Sequence, residues 1–181
     1  MTLRPGEDPV GKIRGECMEL SQYSIEEIVV SAIKSEADAR DVYDLLSRRV
    51  RNAILRDRLR FLAAEERKHQ SYLENLYLDL VPGGDMALPD ESPVPLPVLR
   101  IPDETVPISE VLSDAMGAET AAADFYTNFA LKFDAGTEHR EMLNYFAEME
   151  KLHFDILKRE RQNAERFEDF DVEWGMMHVG P

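Results

Sequence analysis

Apolar residues recur along this chain at spacings that alternate between four and three, and each such run holds an acid near its middle. Leu55, Leu59, Leu62, Glu66, His69, Leu73, Leu76 and Leu80 follow this rule. It marks one face of an amphipathic helix packed into a bundle. The same alternation in Ile25 or Ile28, Val29, Ala32, Glu36, Ala39, Tyr43, Leu46 and Val50 predicts a helix before it. Ile108, Leu112, Ala115, Glu119, Ala122, Tyr126, Phe129 and Phe133 predict a third, and Leu143, Phe146, Glu150, His153 and Leu157 a fourth.

Punctuation residues set the boundaries. Ser24 followed by Glu27 reads as a capping box that starts helix one. The turn to helix two falls near Arg49–Ala53, and helix two runs to about Leu80. All ten prolines lie at positions 5 and 9, between 82 and 107, or at 181. The stretch 81–107 is therefore predicted to be extended. A bundle helix of ~26 residues is roughly 39 Å long, so this connector can cross the whole bundle and start helix three at the same end as helix two. Gly136 is a left-handed stop before helix four, Thr137 its cap, and the helix runs to about Arg166. Residues 1–23 read as an arm, 24–166 as one bundle domain, and 167–181 as a tail. Phe167, Phe170, Val172 and Trp174 predict that the tail docks on its own bundle or on a second subunit.

The two halves repeat. A shift of 83 places Ile25 on Ile108, Glu36 on Glu119 and Tyr43 on Tyr126; a shift of 84 places Leu59 on Leu143, Glu66 on Glu150 and His69 on His153. The fold class is thus all-α, a four-helix bundle made of two duplicated helical hairpins joined by a long Pro-rich crossover.

Composition narrows the function. The 181 residues suffice for one domain with a sizeable core, and a net charge of −15 makes nucleic acid and anionic membrane surfaces poor partners. Cytoplasmic residence is expected, since no apolar run approaches the ~20 residues a membrane helix needs and the first residues lack a signal-peptide core. Cys17 is the only cysteine. Any metal must therefore sit on oxygen and nitrogen.

Residues three apart share a helix face, so Glu66 with His69 and Glu150 with His153 can each grip one ion. Glu65 is the competing partner of His69, but the seam phase selects Glu66. Glu36 and Glu119 bring two further carboxylates to the same height. Four unpaired carboxylates in a dry core would exceed the ~5–15 kcal/mol net stability of a domain. Two divalent cations balance them. Carboxylate-rich ligation with one imidazole per metal suits iron, with manganese or zinc as alternatives. Tyr43 and Tyr126 lie seven residues beyond Glu36 and Glu119 on the same face, as hydrogen-bond partners, radical sinks or ordinary core tyrosines. Gly117 allows a close helix approach or an oxidant channel, or is simply tolerated; His139 and His178 read as surface residues.

A Glu on each of two helices and Glu-x-x-His on the other two is the pattern of ferritin-like di-iron carboxylate proteins. Glu-x-x-Ala-x-x-x-Tyr at 36–43 and 119–126, with Ala-x-Glu-Glu-x-x-His at 63–69, most resembles the rubrerythrin branch. The likeness covers about residues 24–160. It implies that Glu36, Glu66, His69, Glu119, Glu150 and His153 ligate two iron ions. It further implies a non-haem oxidoreductase that reduces peroxide or dioxygen, with an external electron donor replacing the four-cysteine domain of full-length members. A ferroxidase or iron-storage protein and a non-redox metal-binding bundle are the alternatives, and a homodimer or higher homo-oligomer is the expected assembly. This chain has Ala122 where the family carries an extra third-helix Glu, and Arg67 where bacterioferritins carry the haem methionine. No haem is expected.

Overall fold

Ser24 starts the first long helix with both halves of a capping box. Its hydroxyl accepts from the Glu27 N–H, and the Glu27 carboxylate accepts from the Ser24 N–H. The computed structural model describes residues 19–96, 99–100, 103 and 105–177, with side chains to Arg166. Helix α1 spans Ile25–Arg49, α2 Ala53–Leu80, α3 Ile108–Ala130 and α4 Glu138–Met177, preceded by a single 3-10 turn at Leu20–Gln22. All regular structure among the described residues is helical, and no helix among them is long and apolar enough to cross a membrane. The architecture is a ferritin-like four-helix bundle in which α1 pairs most closely with α2, and α3 with α4.

One cap was not singled out from the sequence. Asn52 starts α2 by accepting from the Ile54 and Leu55 N–H groups. Thr137 stands at the cap position before α4, its hydroxyl donating to the Asp134 carbonyl and its carbonyl accepting from the Glu141 N–H, while Gly136 takes the left-handed φ of 80° that its turn requires. Gly84 is needed for another reason. A Cβ there would fall 2.6 Å from the Tyr77 hydroxyl.

The apolar side chains form two clusters. One joins Ile28, Val29, Ile33, Leu73, Leu76, Phe125, Phe129 and Phe146; the other joins Val42, Leu46, Leu55, Leu59, Leu62, Leu112 and Leu157. The seam residues between them are Glu36, Glu66, His69, Glu119, Glu150 and His153, all buried. The connector contributes to both clusters, Val94 to the first and Leu99 to the second. The Val94 N–H donates to the hydroxyl of Ser31, a fully buried residue of α1. The crossover therefore runs lengthwise against the bundle.

Helix α4 continues to Met177 instead of stopping near Arg166. Positions 167–177 contain no proline and one glycine, so nothing in them obliges the helix to end. The aromatic side chains of that segment lie outside the described residues, as do Cys17, His178 and most of the arm 1–23.

Gly117 is exposed in α3, and a Cβ there would meet nothing within 4 Å. It permits no close helix contact. Gly117→Ala is expected to stabilise the protein by about 0.5–1 kcal/mol, through helix propensity and a less flexible unfolded chain. A denaturant titration checks this.

Candidate metal centre

The helix period turns Glu66 and His69 to one side of α2 and Glu150 and His153 to one side of α4. Glu65 stays out of this layer; partly buried, with its side chain 12% exposed, it accepts from Lys68 at 2.6 Å. Glu36 from α1 and Glu119 from α3 complete the layer. The six donors are at most 4% exposed.

Their atoms converge on two points. One ligand atom each from Glu36, Glu66, His69 and Glu150 lie within 4.8 Å of one another, and the same holds for Glu66, Glu119, Glu150 and His153. Glu66 and Glu150 belong to both groups. His69 Nδ1 stands 3.0 Å from Glu150 Oε1, 3.2 Å from Glu66 Oε2 and 3.5 Å from Glu36 Oε2. His153 Nδ1 mirrors it, at 3.0 Å from Glu150 Oε2, 3.2 Å from Glu66 Oε1 and 3.8 Å from Glu119 Oε2. The two rings stack with centroids 5.7 Å apart.

One of these approaches, His153 Nδ1 to Glu150 Oε2 at 3.0 Å, is a hydrogen bond, and the others are not aligned as such. A single N–H has one direction and cannot serve three oxygens. Glu66 Oε1 and Oε2, His69 Nδ1 and Glu150 Oε1 are buried without a properly aligned partner. Donors that face a common point, not one another, fit a cation between them, and oxygen-rich sets of this kind suit first-row divalent metals. The residues present therefore fit a pair of metal ions.

Electrostatics point the same way. Burial, reinforced by the neighbouring Glu66, raises the Glu36 carboxyl to about 7. Burial and Glu150 raise Glu119 to about 8. Glu66 moves down instead, because although burial and Glu119 push it up, His153 and His69 together prevail. Burial alone would lower His69, but the facing carboxylates of Glu150, Glu36 and Glu66 override it and raise the imidazole to about 12. His153 is raised for the same reason, by Glu119, Glu150 and Glu66. Left to themselves, Glu36, Glu119 and the two histidines hold protons in place of cations.

Two tyrosines brace the layer in a crossed pattern. The Tyr43 hydroxyl of α1 donates to Glu119 of α3, and the Tyr126 hydroxyl of α3 donates to Glu36 of α1. Both hydroxyls titrate well above their ordinary range, through burial first and then the charges of Glu119 and Glu36 respectively. Each tyrosine fixes one carboxylate oxygen and leaves the other for a ligand. Tyr43→Phe or Tyr126→Phe is expected to weaken divalent-metal binding about 10–100-fold while keeping two ions per chain. Competition titration against a chromophoric chelator measures it.

His139 takes no part in this layer, and it is not a plain surface residue. Its Nδ1 lies 3.2 Å from the Tyr72 hydroxyl. An open cavity of about 260 Å³ between α3 and α4 reaches Glu119 and Glu150 from the surface.

Comparison with known proteins places these features. A family model described as Rubrerythrin matches residues 27–102, the stretch that holds α1, α2, Glu36, Glu66 and His69. Among solved structures, a hypothetical protein from Pyrococcus furiosus is 30% identical, with a TM-score of 0.71. The match covers 82% of this chain and 95% of that one. No curated protein sequence matches.

Proposed function

The chain belongs to the rubrerythrin family, and on that premise we propose that it is a non-haem di-iron oxidoreductase. It would reduce peroxide or dioxygen with electrons from an external donor. The observation that carries this reading is the pair of overlapping donor quartets sharing Glu66 and Glu150. Glu36 with His69 would hold one ion, Glu119 with His153 the other, and Glu66 and Glu150 would serve both. Two irons held there would supply the two electrons that reduce one oxidant molecule.

The protein's own groups set the conditions. The two apolar clusters above and below the layer exclude bulk water, which strengthens each charge interaction inside. Reduction of one peroxide to two waters consumes two electrons and two protons. The Tyr43 and Tyr126 hydroxyls, kept protonated by burial, stand within hydrogen-bond reach of the layer and can pass a proton along Glu119 and Glu36. These 181 residues carry a single cysteine and hold no four-thiolate iron site, and on this reading an external donor supplies the electrons.

A second reading treats ferrous iron as substrate. The cavity that opens onto Glu119 and Glu150 favours it, since a storage protein must exchange metal with solvent. One experiment separates the readings. Protein loaded anaerobically with ferrous iron is exposed to dioxygen or to peroxide while ferric absorption is followed. Cycling at two irons per chain with an added reductant is the expected result for the oxidoreductase. Accumulation far beyond two irons per chain, in a particle large enough by size exclusion to be a hollow shell, supports storage instead. Absence of any oxidant-dependent absorption would remove both.

A further inference from the structure

Duplication predicts two equivalent faces, one across α1 and α2 and one across α3 and α4, yet the chain breaks that symmetry. The cavity of about 260 Å³ lies on the α3–α4 face and is lined by Glu119, Thr120, Ala123, Asp124, Glu150, Lys151, Phe154 and Asp155. The repeat relates Ala123 to Arg40 and Phe154 to Gln70. At those positions on the α1–α2 face the Arg40 guanidinium donates to Gln70 and also pairs with Asp41 at 2.7 Å, leaving the Arg40 side chain 22% exposed. A long cation tied across the groove thus stands where the other face has a methyl group.

Charge differs as well. The α3–α4 mouth carries exposed Asp124 and Asp155, and its lysine, Lys151, is drawn to Glu148 at 2.6 Å. The α1–α2 counterparts are Asp41 and Ser71, with Arg40 and Arg67 beside them. One mouth is acidic and the other basic. Glu150, 1% exposed and with one oxygen lacking a hydrogen bond, lines the acidic one.

We infer that the α3–α4 cavity is the port through which divalent cations reach the carboxylate layer, and that the Arg40–Gln70 bridge closes the related route across α1–α2. This rests on the metal-centre reading above. Acidic walls concentrate a cation and speed its arrival, an effect of about tenfold or more that falls with ionic strength.

The test is stopped-flow uptake of cobalt(II) by the full-length metal-free protein, read by the visible absorption the ion gains on ligation. Transplanting the closed face, as Ala123→Arg with Phe154→Gln, is expected to slow uptake at least about tenfold. The final two ions per chain are retained. Adding Arg40→Ala to that variant is expected to restore the rate by opening the second route. Should the transplant not fold, Asp124→Asn with Asp155→Asn changes exposed positions only. It is expected to slow uptake severalfold and flatten its salt dependence. Two ions bound at the wild-type rate by the folded transplant, or an unchanged rate and salt dependence in the asparagine pair, overturns the port alone. A wild-type protein that binds no cobalt overturns the metal centre, and the port with it.

Discussion

Glu36→Gln combined with Glu119→Gln is expected to weaken binding of manganese(II) or cobalt(II) at least about 100-fold, beyond the cost of losing an outer-shell partner. The metal-free protein should be no less stable for the change. Glu36 and Glu119 are the two carboxyls that burial raises, to about 7 and about 8. Near neutral pH Glu119 is largely the neutral acid and Glu36 about half so, and glutamine has the shape of that acid. The Tyr126 and Tyr43 hydroxyls still find an oxygen to donate to. What disappears is the capacity to become anionic when a cation arrives, which removes two of the four charges that balance a pair of divalent ions. Glu66→Gln should behave differently. That carboxylate is held ionised by His153 and His69, so its loss leaves two raised imidazoles facing less negative charge and destabilises even the metal-free bundle. Isothermal titration and thermal melts in chelator test both halves. Wild-type affinity in the Glu36, Glu119 double variant would remove these residues from the ligand set.

The contrast shows which parts of the centre could be read from the chain. Position on a helix face is a local property, so the four-three spacing placed Glu66 and His69 inward and selected Glu66 over Glu65 without coordinates. The Ser24 and Glu27 cap and the turn before Ala53 are equally local. Pairings between helices are not. That Tyr43 meets Glu119 and Tyr126 meets Glu36 depends on how α1 and α3 slide past each other, which repeats cannot reveal. Ser31 is a polar residue within an apolar run, and the path of the crossover explains its burial beneath the Val94 N–H. The signal for the closed face was present in Arg40 and Gln70 opposite Ala123 and Phe154. It acquires meaning only beside a cavity. The end of α4 was missed because acids and aromatics in 167–177 were read as a tail, although neither residue class stops a helix.

Metal should reverse the pH dependence of stability. In chelator, the melting temperature is expected to fall as pH rises from about 5 to about 8. Glu36 and Glu119 titrate at about 7 and about 8 when folded, against an ordinary value of 4.5. Between these limits the folded chain holds protons that the unfolded chain has released, so each group removes about 1.4 kcal/mol of stability per pH unit. His69, raised from 6.5 to about 12, adds the same sign above about pH 6.5. Glu66 has the opposite sign, but its pKa lies below 4.5, so its window falls beneath this range. With manganese(II) in excess the slope should become positive. Ligands must shed these protons to bind metal, so affinity climbs with pH, and the stabilisation climbs as RT ln(1 + [L]/Kd). Calorimetric melts at four pH values, with and without metal, decide the matter. Parallel slopes would mean that the cation and the protons do not compete for the same side chains, and the layer between the two apolar clusters would then be a proton-filled core, not a metal centre.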